Sequence, residues 1–152
     1  MKVLFVCTGN TCRSCMAEAI FNKLSTLEEV EAFSSGISVV PGSKTSKHTA
    51  SLISSNFDFD ISERNAVQLT EEMIKSSDLI LTMTGYMRDL LKNHFDSKKE
   101  KIYTINEFVG LQEDIMDPYG GDIHTYEATF HMLRKCIELL LVKLKEDSGK
   151  VY

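Results

Sequence analysis

The apolar run Val3-Leu4-Phe5-Val6 passes directly into Cys7-Thr8-Gly9-Asn10-Thr11-Cys12-Arg13-Ser14, and that octet into a helical pattern. The first run has the length and β-branched content of one buried parallel strand. In the helical stretch Met16, Ala19, Ile20 and Leu24 share one face, with Glu18, Asn22 and Lys23 on the other. Strand, tight polar loop and helix in that order bring loop amides and a helix N-terminus to one point, which suits a doubly charged anion. The positive helix end also favours a thiolate, so Cys7 is expected to ionise readily and be nucleophilic at neutral pH. Arg13 can close the ring and fork two phosphate oxygens. A thiolate on the floor of a phosphate cradle is a phosphotransfer nucleophile.

The rest of the chain alternates the same two periods. Residues 30–35 read as a second strand ending at Gly36, residues 78–83 as a third and 101–105 as a fourth. Between them, residues 37–47 read as surface loop, 45–55 as a weak helix with Ala50, Leu52 and Ile53 as its apolar residues, and 56–68 as loop. Thr70 is a candidate N-cap ahead of Glu71 and Glu72. A helix is expected from Thr84-Gly85 to about Phe95, and 106–121 as a long connection. From Asp122 to about Lys145 the stripe Phe130, Leu133, Ile137, Leu140, Leu144 marks the clearest helix, with a frayed end beyond it. Strands alternating with helices predict an α/β fold whose parallel sheet is covered on both faces, with the ligand at the carboxyl ends of the strands.

The chain has 152 residues, which predicts one domain spanning 1–152. Its apolar runs are too short to cross a bilayer, and Met1-Lys2 leads straight into a core strand, so neither a membrane span nor a signal peptide is expected and a cytoplasmic location is. A net charge of −5 argues against nucleic acid or an acidic membrane as partner. Three of the four cysteines fall within residues 7–15, a clustering that reads as catalytic or metal-binding.

The octet Cys7–Ser14, written Cys-x5-Arg-Ser after an apolar strand, resembles the signature of the low-molecular-weight protein tyrosine phosphatase family. Asp117-Pro118-Tyr119 stands where that family carries its general acid, and the resemblance covers essentially the whole chain. It implies a three-layer fold, with a central four-stranded parallel sheet and helices on both faces, and an enzyme that needs neither metal nor cofactor. It implies Cys7 as nucleophile, Arg13 as phosphate ligand and Asp117 as general acid. Thr8, Gly9, Asn10, Thr11, Cys12 and Ser14 would form the cradle, with Tyr119 as a wall of the substrate site. Ser14 would also donate to the Cys7 thiolate, and Asn10, supported by Ser34, would fix a left-handed turn. Phosphorylated proteins are the expected partners, and a monomer the expected state.

Position 11 bears on which phosphate. Tyrosine-directed members usually carry an aliphatic residue there and the protein-arginine phosphatase branch a threonine, and Thr11 follows the second pattern. Gly120-Gly121 follow Tyr119 where tyrosine-directed members often place another aromatic. One hydroxyl gained and one stacking wall lost favour a slim, polar substrate side chain. Phosphoarginine is therefore the expected substrate, with phosphotyrosine as the alternative. Cys15 departs from the family, which usually has proline at this first helical turn.

Bland readings weigh less for some residues than for others. Cys7 alone would be a small hydrophobe and Asp117 alone a turn former. Glu113, Asp114 and the four histidines, His48, His94, His124 and His131, are expected to be ordinary solvated residues. Cys7-x4-Cys12-x2-Cys15 matches a plant-type iron–sulfur spacing, with Cys136 as a conceivable fourth ligand, but that leaves Arg13-Ser14 without a role. An arsenate reductase shares the loop in one family but needs further thiols, and a non-catalytic phosphopeptide binder would need neither Cys7 nor Asp117. An easily ionised Cys7 is also open to oxidation, and Cys12 in the same loop is its expected disulfide partner.

Overall fold

A computed structural model describes residues 1–148. Four strands, β1 (Lys2–Cys7), β2 (Glu31–Gly36), β3 (Leu79–Thr82) and β4 (Ile102–Thr104), form one sheet in the order β2-β1-β3-β4. All three pairings are parallel. The helices are α1 (Arg13–Leu24), α2 (Lys47–Phe57), α3 (Glu71–Ser76), α4 (Gly85–His94), α5 (Ile105–Phe108) and α6 (Ile123–Ser148).

Alternation along β1 sets the layers. Val3, Phe5 and Cys7 enter the larger core with Met16, Ile20 and Phe21 of α1, Ile53 of α2 and the stripe of α6, while Leu4 and Val6 enter a smaller core with Ile74 of α3 and Leu91 of α4. A strand buried on both faces needs the continuous apolar run that opens this chain. The expected stripe of α6 is buried throughout, at 5% exposure or less. Three-layer α/β architecture with a four-stranded parallel sheet is therefore what the chain adopts.

Local signals explain most boundaries. Thr70 and Thr84 accept from Met73 N and Met87 N and so cap α3 and α4, and Ser46 caps α2 by accepting from Thr49 N. The weak helix thus starts two residues later than expected and runs to Phe57, burying Thr49, Leu52 and Ile53 rather than Ala50. The expected connection 106–121 instead opens with α5. There Thr104 and Glu107 form a reciprocal capping box that ends β4 one residue early.

Loop 37–47 and segment 56–68 are not plain loops either. Lys44 bridges Asn65 in antiparallel fashion, and Gln68 bridges Gly36. A 3-10 turn, Asp96–Lys101, leads into β4. The frayed end falls partly on residues 149–152, outside the described residues; α6 itself continues to Ser148. No helix among the described residues is long and apolar enough to cross a membrane.

Candidate active site

The loop between β1 and α1 is shaped from outside. Ile37 N donates to Cys7 O (2.9 Å), Ser38 N to Thr8 O (2.9 Å) and Ser46 N to Thr11 O (3.0 Å). Tying those carbonyls back leaves the loop N–H groups for an anion on the other side. The strand end must come very close to do this. A Cβ on Gly36 would lie 2.7 Å from Thr8 O and 3.0 Å from Asn10 N, so only glycine fits there.

Asn10 occupies left-handed backbone space (φ 58°), uncommon outside glycine, and its side chain holds it there. Its Nδ2 donates to Ser14 Oγ (2.7 Å) and Ser34 Oγ (2.9 Å). Its Oδ1 accepts from Arg64 Nη1 and Val67 N, both at 2.9 Å. Arg64 also donates to Ser34 Oγ (2.8 Å) and pairs with Glu18 at 3.3 Å, so the buried turn is fully hydrogen-bonded.

Cys7 Sγ, 3% exposed as a residue, lies 2.8 Å from Ser14 Oγ and accepts from Asn10 N at 3.2 Å. With the sulfur ionised the Ser14 hydroxyl must donate to it, giving the thiolate two donors. Arg13, buried at the start of α1, donates from Nη1 to Ile115 O (2.9 Å), and its Nη2 lies 3.6 Å from Asp117 Oδ2.

The stretch bearing Asp117 is fastened across the strand ends. Ile115 N donates to Met83 O (2.9 Å), Gly85 N to Asp114 Oδ1 (3.0 Å), and Asn106 Nδ2 to Glu113 O. Asp114 is thus a tether rather than a merely solvated residue. Asp117 Oδ1 accepts from Tyr119 N (3.0 Å), so Asp117 does form the turn that its bland reading expected while its other oxygen faces Arg13. Gly120 then has φ +82°, and a Cβ on Gly121 would sit 2.8 Å from the Thr125 side chain. A second aromatic after Tyr119 would be strained at the first position and crowded at the second.

Around Cys7 opens a cleft of about 830 Å³, lined by residues 7–13, Asp117, Tyr119 and Tyr126 and by the start of α2. All ten residues expected at the site except Ser14 line it, and Ser14 touches the sulfur from behind. His48 is not an ordinary surface residue: it lines the same cleft and packs against Tyr126 with ring centres 4.9 Å apart and planes tilted by 52°.

The Tyr126 hydroxyl lies 3.3 Å from Cys12 Sγ, and burial together with that contact pushes its pKa up to about 12. Arg64, His48 and Tyr126 were not expected here. Their segments approach the loop only through tertiary structure, and no local spacing announces them.

The remaining thiols differ in kind. Cys15 is buried, donates to Cys12 O, and is driven well above the ordinary thiol range by desolvation and then by the neighbouring Cys7. Cys136 sits in the core, its pKa pushed up to about 11 by burial, and donates to Asn106 Oδ1 (3.2 Å). Among the described residues no three His, Cys, Asp or Glu side chains are placed to share a metal ion.

This geometry can be set beside known proteins. The family model described as low molecular weight phosphotyrosine protein phosphatase matches residues 2–150. The chain belongs to that phosphatase family. Within it, the chain is 36% identical over 151 residues to a protein-arginine-phosphatase of Bacillus subtilis, covering 97% of this chain and 99% of the relative. It is 37% identical over 148 residues to the low molecular weight protein-tyrosine-phosphatase PtpB of Staphylococcus haemolyticus, covering 97% and 100%. The solved structure of an arginine phosphatase from Geobacillus stearothermophilus superposes with a TM-score of 0.91 at 34% identity, covering 99% of this chain and 97% of that one. The protein is accordingly a phosphatase acting on phosphorylated proteins.

Proposed function

We propose that this phosphatase hydrolyses phosphoarginine on proteins through a cysteinyl-phosphate, the whole chain 1–152 acting as one domain. The observation carrying the reading is the hydroxyl-bearing Thr11 on the loop, in a cleft where Tyr119 has no second ring beside it in its own segment. Thr11 and Cys7 line one cleft, and beyond Tyr119 the backbone at Gly120-Gly121 gives a second ring no easy place. The relatives named as arginine phosphatases support it, and those named as tyrosine phosphatases keep phosphotyrosine as the alternative.

Cys7 attacks phosphorus in line with the leaving nitrogen, while Arg13 and the loop amides hold the charge spread over the three equatorial oxygens. Arg13 is already oriented for this by Ile115 O. Asp117 supplies a proton to the departing guanidine, then takes one from the water that opens the cysteinyl-phosphate. Ser14 and Asn10 stabilise the thiolate as it forms and as it leaves. Asn10 in turn keeps its left-handed turn through Arg64. Acting as a monomer in the cytoplasm, away from nucleic acid and membranes, fits four free thiols and a net charge of −5.

Thr11→Ile tests the substrate assignment. It removes a hydroxyl from the cleft lining and adds apolar surface that a ring can use. The ratio of kcat/KM for phosphoarginine over phosphotyrosine peptides is expected to fall by about tenfold or more. An unchanged ratio would locate selectivity elsewhere, around Tyr119-Gly120-Gly121.

The same site is expected to be redox-sensitive. Peroxide converts the Cys7 thiolate to a sulfenic acid, and the Cys12 thiolate displaces hydroxide from it to close an S–S bond. The buried Cys15 and Cys136 are expected to remain reduced. Peptide mapping after mild peroxide should find a reversible Cys7–Cys12 link; a Cys7–Cys15 link, or irreversible sulfinic acid at Cys7 with Cys12 free, would contradict this.

A further inference from the structure

Beyond the phosphoryl group, the cleft has a mouth of uneven charge. Lys47 and Lys44 line it on the α2 side, against Tyr119 on the other. Lys44 is held in place, 3.9 Å from the Glu63 carboxylate and donating to Glu63 O at 3.1 Å. Lys47 is exposed and has no ion-pair partner among the described residues.

Its position is also unfavourable for α2 itself. Lys47 and His48 open the helix, and its first turn carries no acidic residue. A cation in a first turn opposes the helix dipole, so Lys47 does not serve helix stability. It stands, moreover, on a protein of net charge −5, whose overall field would repel an acidic peptide. A local rule broken at the rim of a substrate cleft indicates work done on something outside the chain.

We infer that Lys47 is a specificity-determining residue, selecting phosphorylated residues whose immediate sequence neighbours are Asp or Glu. The inference rests on the proposed function and extends it from the phosphorylated side chain to the flanking peptide. Once the phosphoryl group is seated on the loop, the substrate backbone lies at the cleft mouth. An adjacent carboxylate can there pair with the Lys47 ammonium, while Lys44 is already engaged with Glu63. Such a contact is exposed, so its effect is modest and screened by salt.

The test compares two phosphopeptides that differ only in Asp or Lys residues flanking the phosphorylated residue. The wild-type protein is expected to favour the acidic peptide in kcat/KM by about threefold to tenfold at low salt, with the preference shrinking as salt rises. Lys47→Glu is expected to abolish or invert that preference. Lys98→Glu makes the same charge change before β4, at the end of the sheet opposite the cleft, and is expected to retain it. Equal ratios in the wild type and Lys47→Glu would overturn the inference alone. A preference lost equally in Lys98→Glu would overturn it too, assigning the effect to overall charge. Absence of turnover on any phosphopeptide would overturn the proposed function and this inference together.

Discussion

Cys7→Ser protein is expected to release no measurable phosphate from any phosphopeptide, a fall in kcat of about 10⁴-fold or more, while still binding phosphate. A serine hydroxyl does not ionise near neutral pH, and the two groups bonded to position 7, Ser14 Oγ and Asn10 N, stabilise an anion without taking up a proton. Apart from the two bonds that end on Cys7 Sγ, the contacts that organise the loop do not involve sulfur. Asn10 keeps its bonds to Ser14, Ser34, Arg64 and Val67, and Arg13 keeps its bond to Ile115 O. Binding should survive the loss of chemistry. Isothermal titration of the variant with inorganic phosphate, beside a phosphate-release assay, checks both halves. Turnover at a rate comparable to wild type would remove Cys7 from the nucleophile's role.

Asp117→Asn is expected to slow hydrolysis of peptide substrates by about a hundredfold or more, and of activated aryl phosphates far less. A good leaving group departs without a proton; a guanidine nitrogen or an alkyl-like oxygen does not. Asparagine keeps the acceptor that Tyr119 N uses, so the turn should persist and the comparison should report on proton transfer rather than on loop structure. The variant also loses the charge that faces Arg13 at 3.6 Å, leaving that guanidinium freer to engage substrate. KM is therefore expected to hold or fall while kcat drops. Equal slowing of both substrate classes would mean that Asp117 is not the acid.

The parts of the site that lie within one strand–loop–helix were legible because chain connectivity alone brings them together. Cys7, Asn10, Arg13 and Ser14 are separated by one loop, and no distant packing decides their meeting. Asp117 could be placed only through its resemblance to a family motif, since three separate tethers, to Met83, Gly85 and Asn106, carry it to Arg13. Arg64 was not legible at all. Residues 56–68 have neither the helical nor the strand period, yet two isolated bridges lay that segment beside the loop and deliver a guanidinium to Asn10.

The fold followed the same division. β1, β3 and α6 announce themselves by burial on both faces or by an unbroken stripe. The short helix α5 rests instead on its reciprocal Thr104–Glu107 cap, which a hydrophobic pattern does not register.

The central claim is that a cysteine phosphatase of this family acts here on phosphoarginine. Its most direct test is the ratio of kcat/KM for one peptide carrying phosphoarginine and the same peptide carrying phosphotyrosine at that position, measured by phosphate release with the reduced wild-type protein. The geometry of Thr11, Tyr119 and Gly120-Gly121 predicts a ratio above about ten in favour of phosphoarginine; a ratio at or below one would contradict it and make phosphotyrosine the substrate.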